Sequence, residues 1–311
     1  MTGAVLVTGA AGFVGRKLLP ALIAGGCEVI ALLRGPADDL PEGVRHRVAG
    51  PIEDLDAAAW RDALAGVDSI VHLAGIAHVG PDVPPRRYDA VNAGATLAMA
   101  EAARRAGVRR IVFMSSIRAQ AGASAADVQT EASPARPTEA YGASKLAAER
   151  GLAGCGVPHV VLRPVLIVGD EPRGNLRLLL KLAATGWPLP FAALSGGRSL
   201  VGIDDVVAAI LRALDDPAMA GGTYILAHPE AASVGAMIAA LRRGLGLPAR
   251  LFAVPGWMLA APLRLAGRGE AWERIGGGLV ARPEALTRLW FSFRQPPLEA
   301  LEALARRRGP G

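Results

Sequence analysis

The chain has 311 residues, 51% hydrophobic and 20% charged, which excludes a disordered protein and leaves room for about two domains. Lys and Arg outnumber Asp and Glu by 34 to 28, giving a net charge of +6 and a pI near 10.0. The basic residues are spread out, densest at Arg306-Arg307-Arg308, and 5 Trp, 3 Tyr and 6 Phe make no base-stacking platform, which argues against nucleic acid.

In chain order, no basic segment precedes the first apolar run, so no signal peptide is expected. Ala4–Thr8 is a short apolar run bounded by Gly, the pattern of a buried parallel strand. Gly15–Ala24 has helical spacing, and Glu28–Leu33 is a second strand. A helix at Asp56–Ala65, a strand at Ser69–Leu73, a helix at Ala90–Ala106 and a strand at Arg110–Met114 continue the alternation. A helix over Ala140–Leu152 and a strand over Pro158–Leu162 complete it. Strands alternating with helices at this spacing mean βαβ units and a Rossmann-type, doubly wound parallel sheet, an α/β fold.

After Gly169 the rhythm changes. A Leu-rich helix (Asn175–Ala184), a Pro- and Gly-rich stretch, a helix at Val206–Leu214 and a strand at Thr223–Leu226 precede short helices broken by Gly and Pro. The expected division is a dinucleotide-binding domain over 1–168 and 200–228, and a smaller, mostly helical substrate lobe over 169–199 and 229–311. Leu251–Leu263 is apolar but holds Pro255 and Pro262, and at thirteen residues falls short of the about 20 a bilayer span needs. A cytoplasmic protein without a membrane span is expected. Cys27 and Cys155, the two cysteines, make no disulfide framework and read as core thiols; Trp257, Trp272 and Trp290 also read as core. His46, His78, His159 and His228 are scattered, so no metal site is expected.

The chemistry concentrates at two motifs. Gly9, Gly12 and Gly15 in Thr8-Gly-Ala-Ala-Gly-Phe-Val-Gly15 follow the first strand and open the first helix. The first gives a tight turn, the second admits a pyrophosphate to the backbone, and the third lets helix and strand pack closely, while the helix N-terminus attracts the phosphates. The second strand ends in Arg34 where an NAD-binding carboxylate would stand, so a 2′-phosphate is favoured: NADP(H) ahead of NAD(H), against the plain alternative of a solvated loop arginine. Tyr141 and Lys145, four apart, share a helix face, and an adjacent ammonium favours the phenolate that acid/base chemistry needs. Ser115 and Ser116 end a strand at the carboxyl edge of the sheet, where a hydroxyl can meet a substrate oxygen.

At these residues the chain resembles the extended short-chain dehydrogenase/reductase family, in its branch of nucleotide-sugar epimerases, dehydratases and 4-ketoreductases. The resemblance rests on TGAAGFVG, His72-Leu-Ala-Gly75, Val91-Asn92 with Gly94-Ala-Thr96, Met114-Ser-Ser116, YGASK and Leu162-Arg-Pro164. It implies Tyr141 as acid/base, Lys145 as its partner and ribose holder, and Ser116 as the catalytic hydroxyl. It also implies cofactor contacts at Ala11, Phe13, Val14, Ile52, Leu73, Ala74, Gly75, Asn92, Pro164 and Val168, and it allows a homodimer. His72 is expected to matter through its backbone. One departure is Pro51, which stands where the family often has an Asp near adenine, leaving Glu53 or Asp54 as neighbours for that role.

Arg173-Gly174-Asn175 and Arg198 resemble the diphosphate contacts of UDP-hexose enzymes of surface-polysaccharide synthesis. Asn175 reads equally as a plain helix N-cap, Arg198 alternatively as a partner of Asp204 or Asp205, and Arg282 equally as an anion contact or a solvated loop residue. The function expected is hydride transfer at C4 of a UDP-sugar, as a 4-keto-sugar reductase. The alternatives are a UDP-hexose 4-epimerase, a reductase of another small carbonyl compound such as a steroid or flavonoid, and a non-catalytic cofactor-binding scaffold.

Overall fold

The computed structural model describes the chain apart from residues 1–2, 38, 78–82, 173, 268, 270–271, 274–275 and 309–311. The apolar runs become strands β1 (Ala4–Thr8), β2 (Glu28–Leu33), β4 (Ser69–His72), β5 (Arg110–Met114), β6 (His159–Pro164) and β9 (Thr223–Leu226). With β3 (Val44–Val48) they form one seven-stranded sheet in the order β3-β2-β1-β4-β5-β6-β9. The pairings from β3 through β6 are parallel. The order reverses between β1 and β4, so the carboxyl ends of those two strands open the crevice in which a doubly wound sheet binds its ligand.

β3 escapes the periodicity reading because it is an edge strand. Its sequence VRHRV is exposed or half-buried throughout, so no apolar alternation marks it. Between strands run α1 (Phe13–Ala24), α2 (Ala57–Ala63, capped by Asp56), α3 (Pro85–Tyr88), α4 (Ala95–Ala106) and α5 (Ala140–Ala153). A π-helical segment, Asp89–Gly94, joins α3 to α4, where one regular helix was expected.

Contacts divide the chain into two compact units. The first holds residues 1–120, 134–164 and 206–224; the second holds 121–133, 165–205 and 225–311. Relative to the expected division, residues 121–133, 165–168, 200–205 and 225–228 fall in the second unit. The first unit's core joins Leu6, Ile30, Ile70, Ile111, Phe113 and Val161 of the sheet to Trp60, Met99 and Leu152 of the helices.

The second unit contains a three-stranded sheet, β10-β8-β7, built from β7 (Leu166–Val168), β8 (Gly197–Gly202) and β10 (Ala231–Ser233). These strands are only three to six residues long, two of them three, and the sequence reading passes over them. The unit also holds α6 (Gly174–Ala184), α8 (Val234–Gly244), α9 (Gly256–Leu265), α10 (Glu284–Arg288) and α11 (Pro297–Arg306), while α7 (Ile203–Asp215) begins in it. Leu176, Leu200, Met237, Ile238, Leu241, Leu301 and Leu304 form its core. Arg242 is fully buried there, satisfied by carbonyls of Ala183, Trp187, Ala249 and Arg250. Trp257 and Trp290 correct the sequence reading: they are 71% and 90% exposed, not core. Trp257 rides on α9, whose only buried residue is Ala260, and Trp290 sits in a turn at φ 56°.

Candidate active site

The glycine turn forms as the spacing requires. Gly9 has φ +68°, and a Cβ there would lie 2.8 Å from the Ala74 amide nitrogen. A Cβ on Gly15 would strike the Ala10 carbonyl, so only glycine lets α1 start this close to β1. Gly12 caps α1 without a side-chain hydrogen bond, and no acidic residue occupies the first turn. The amides at Phe13, Val14 and Gly15 therefore belong to an uncapped, positive helix end, a cradle that fits a pyrophosphate. Ala11 is exposed beside it.

A depression next to this turn is lined by Ala10, Ala11, Arg16, Leu19, Asp39, Leu40 and Pro41. Arg16 pairs with Asp39 at 2.5 Å and donates to the Ala11 carbonyl at 3.1 Å, a pairing the motif reading missed. Arg34 is exposed at the end of β2. Ile52 packs against the first unit's core. In the same short turn, Glu53 keeps Oε2 buried with no hydrogen-bond partner among the described residues. That orphaned acceptor suits the amino group of an adenine, the role Pro51 leaves vacant.

Parallel register sets Thr8 beside His72. Thr8 Oγ1 lies 2.7 Å from His72 Nδ1, His72 Nε2 lies 2.9 Å from Thr96 Oγ1, and Thr96 donates to the Asn92 carbonyl at 2.7 Å. Thr8 Oγ1 also accepts from the Ala74 amide at 3.1 Å. Each hydroxyl has one proton. Thr96 uses its own on Asn92, so His72 carries its proton on Nε2, and Nδ1 accepts from Thr8. Burial and the Lys145 charge hold the imidazole neutral, its pKa pulled to about 3. His72 thus acts through its ring as well as its backbone, correcting the sequence reading. Its chain of bonds ties the end of β1 and the Leu73-Ala74-Gly75 segment to the π-helical turn that carries Asn92.

Asn92 is buried and fully engaged. Its carboxamide accepts from the Ile76 amide at 2.9 Å and donates to the Ile76 carbonyl and to Ser144 Oγ, both at 3.0 Å. Lys145, 4% exposed, donates from Nζ to the Met114 carbonyl at 3.0 Å and sits 4.8 Å from the centre of the Phe113 ring. Any Cβ on Gly75 would come within 3.0 Å of that ammonium and 2.8 Å of Asn92 Oδ1. Burial lowers the Lys145 pKa to about 8, with Glu149 opposing. Lys145 therefore remains a cationic donor at neutral pH.

Tyr141 and Ser116 are hydrogen-bonded to each other, and the Tyr141 ring lies 6.2 Å from that of Tyr88. Burial raises the phenol's pKa; the Ser116 bond and the Arg118 charge pull it down without prevailing. The ammonium effect expected of Lys145 is not what dominates here, because Lys145 is held by Met114 and Phe113. The two serines separate in role. Ser116 faces Tyr141, whereas Ser115 donates to the Glu149 carboxylate. Glu149 forms a bidentate pair with Arg163 at 2.9 and 2.5 Å, and Arg163 also donates to Gln120 at 2.8 Å. This buried network fastens α5 to β6. The i,i+4 spacing of Lys145 and Glu149 on α5 was its sequence signal.

Pro164 ends β6, and Val168 is buried in the second unit's core at the end of β7. Asn175 lies in the first turn of α6, which starts at Gly174, so it is not the N-cap; Arg173 and His78 lie outside the described residues. Asn175 and Arg198 do meet, lining one cavity with Leu166, Leu178, Leu179, Leu182, Phe191, Val234 and Met237. Arg198 donates to the carbonyls of Ala123, Glu273 and Gly277 at 3.5, 2.8 and 2.6 Å, which leaves Nε buried with no partner among the described residues.

A model of the NAD dependent epimerase/dehydratase family matches residues 5–227. The chain is 29% identical over 290 residues to a UDP-glucose 4-epimerase of Vibrio cholerae, covering 90% of this chain and 87% of that protein. It is 31% identical over 301 residues to sterol demethylase protein B of Methylococcus capsulatus, covering 94% and 84%. Among solved structures, MoeE5 in complex with UDP-glucuronic acid and NAD matches with a TM-score of 0.76 at 28% identity, covering 98% of this chain and 100% of that one. The glycine cradle, the Ser116–Tyr141 pair and Lys145 thus stand in a chain that belongs to the NAD dependent epimerase/dehydratase family, an NAD-dependent enzyme of the extended short-chain dehydrogenase/reductase type.

Proposed function

We propose that this enzyme moves hydride between a nicotinamide cofactor and C4 of a UDP-hexose, as a 4-epimerase. The observation that carries the reading is the hydrogen-bonded Ser116–Tyr141 pair, with Lys145 one turn further along the same helix, in the same unit as the dinucleotide cradle. Similarity to a UDP-glucose 4-epimerase over 90% of the chain supports C4 as the reacting carbon. Tyr141 takes the proton of the C4 hydroxyl once its own phenol is ionised, which its burial opposes and the Ser116 bond and the Arg118 charge favour, while Ser116 hydrogen-bonds the same oxygen; the cofactor, when bound, supplies the hydride acceptor. Inversion would require the bound cofactor to give its hydride back to the opposite face of C4, and Tyr141 would then return the proton to the C4 oxygen. The amides at Gly12 to Gly15 hold the pyrophosphate, Lys145 the nicotinamide ribose, and Glu53 the adenine amino group. Leu73, Ala74 and Gly75 supply backbone along the cofactor's path. In the second unit, Arg198 Nε and Asn175 receive the UDP diphosphate.

The 4-keto-sugar reductase is the second reading, supported by Tyr141. Burial keeps its phenol protonated, the form that delivers a proton to a 4-keto oxygen. Arg34 supports NADP(H) as the cofactor of that reading. Both readings carry a cytoplasmic location. The test is mass spectrometry of ligands released from the purified enzyme, with assay of UDP-glucose and UDP-galactose without added cofactor. Retained NAD(H) and interconversion are expected. Turnover only of a 4-keto-sugar with added NADPH would transfer the conclusion to the reductase. Calorimetry showing no UDP affinity at about millimolar concentration, with cofactor present, would remove the nucleotide sugar and leave the apolar cavity for another carbonyl compound.

A further inference from the structure

The second unit carries an apolar surface the active site does not use. Helix α9 reads Gly-Trp-Met-Leu-Ala-Ala-Pro-Leu-Arg-Leu and buries only Ala260. Trp257 is 71% exposed, Met258 49% and Leu265 89%. Phe252 and Trp187 add further exposed apolar area, and the backbone joins their segments: the Phe252 amide donates to the Leu189 carbonyl at 3.0 Å, and Leu189 to Arg250 at 3.0 Å. A helix that exposes Trp257, Met258 and Leu265 and buries one alanine, preceded at close range in the chain by exposed Phe252, is rarely left in water without a use.

Charge decides the partner. No Asp or Glu occurs from residue 172 to 203 or from 231 to 269, while these two segments hold Arg173, Arg177, Lys181 and Arg198, and Arg242, Arg243, Arg250, Arg264 and Arg268. Some of these are spent inside the protein: Arg242 and Arg198 on carbonyls, Arg243 on Glu302. Arg177, Lys181, Arg250 and Arg264 remain exposed, and Arg264 lies on α9 between Leu263 and Leu265. Arginine interleaved with Trp, Met and Leu on a short helix is the composition of an element that lies in the headgroup region, apolar side chains down and cations at the phosphates. No described helix is long and apolar enough to cross a membrane, so the contact is with one leaflet.

We propose that the surface carrying α9, Phe252 and Trp187 docks the enzyme on an anionic lipid bilayer. The experiment is co-sedimentation of the full chain with phosphatidylcholine vesicles, with and without phosphatidylglycerol, at low and high salt. Three proteins are compared: wild type, Trp257→Ser with Leu265→Ser, and Arg250→Glu with Arg264→Glu. All four positions are exposed, and matched thermal melts establish that the variants fold. The wild type is expected to sediment with the anionic vesicles alone and to be released by salt. Each double variant should lose about tenfold or more in partitioning. Wild type that stays in the supernatant, binds the neutral vesicles equally, or matches either variant would overturn the proposal. So would a dimer in gel filtration that the Trp257→Ser, Leu265→Ser variant splits, because the face would then be covered by a second copy.

Discussion

Removing Glu149 tests the buried network most directly. Its carboxylate and the Arg163 guanidinium are 6% and 9% exposed, so water does little to screen them. In Glu149→Ala, Arg163 keeps only Gln120 as a side-chain partner and Ser115 loses its acceptor. An uncompensated buried charge of this kind costs about 3–5 kcal/mol. At about 2–4 °C per kcal/mol that lowers Tm by roughly 6–20 °C. Replacing both partners by apolar residues of similar size, Glu149→Leu with Arg163→Met, should recover most of the loss, because no charge is then stranded. A second readout follows from Lys145, whose pKa burial has lowered to about 8 and Glu149 holds up. Without Glu149 it falls further, the ammonium is lost at lower pH, and the alkaline limb of the pH–rate profile moves down. The assays are denaturant or thermal melts of the three proteins and kcat/KM against pH. A Glu149→Ala protein within about 1 kcal/mol of wild type, with an unmoved alkaline limb, would refute the reasoning.

Tyr141→Phe should cut turnover by about 10²-fold or more while leaving cofactor binding intact, since the proton donor goes and the cradle stays; comparable turnover would sink the assignment. For His72, the folded pKa of about 3 lies below the ordinary 6.5, so the unfolded chain binds the extra proton between those values. Stability is therefore full above pH 6.5 and falls as pH drops toward 3, and His72→Phe should remove one proton's share of that slope in denaturant melts from pH 7 to 4. Equal slopes in both proteins would show that the ring is not held neutral. Fluorescence titration separates the two readings: the epimerase binds NADH the more tightly, whereas the reductase reading requires NADPH bound at least as tightly as NADH, with Arg34→Ala weakening NADPH alone.

The sequence by itself determined the parallel core strands, the glycine turn and the Tyr141–Lys145 pair. Each is written in neighbouring residues: apolar runs of strand length, three glycines at fixed spacing, a tyrosine and lysine one helical turn apart. What depends on partners distant in the chain was decided only by the tertiary structure. The strand register that sets Thr8 against His72, 64 residues away, turned a bland histidine into the link between glycine turn and Asn92. Folding of α5 onto β5 gave Ser115 to Glu149 and left Ser116 to Tyr141, a division no spacing reveals. It also carried the Lys145 ammonium to the Met114 carbonyl and the Phe113 ring, so burial rather than a neighbouring cation governs the phenol. Edge strand β3 and the exposed face of α9 were illegible for one reason. Apolar periodicity reports which side chains the chain is able to bury, and whether they are buried is settled only when the rest of the fold arrives to cover them.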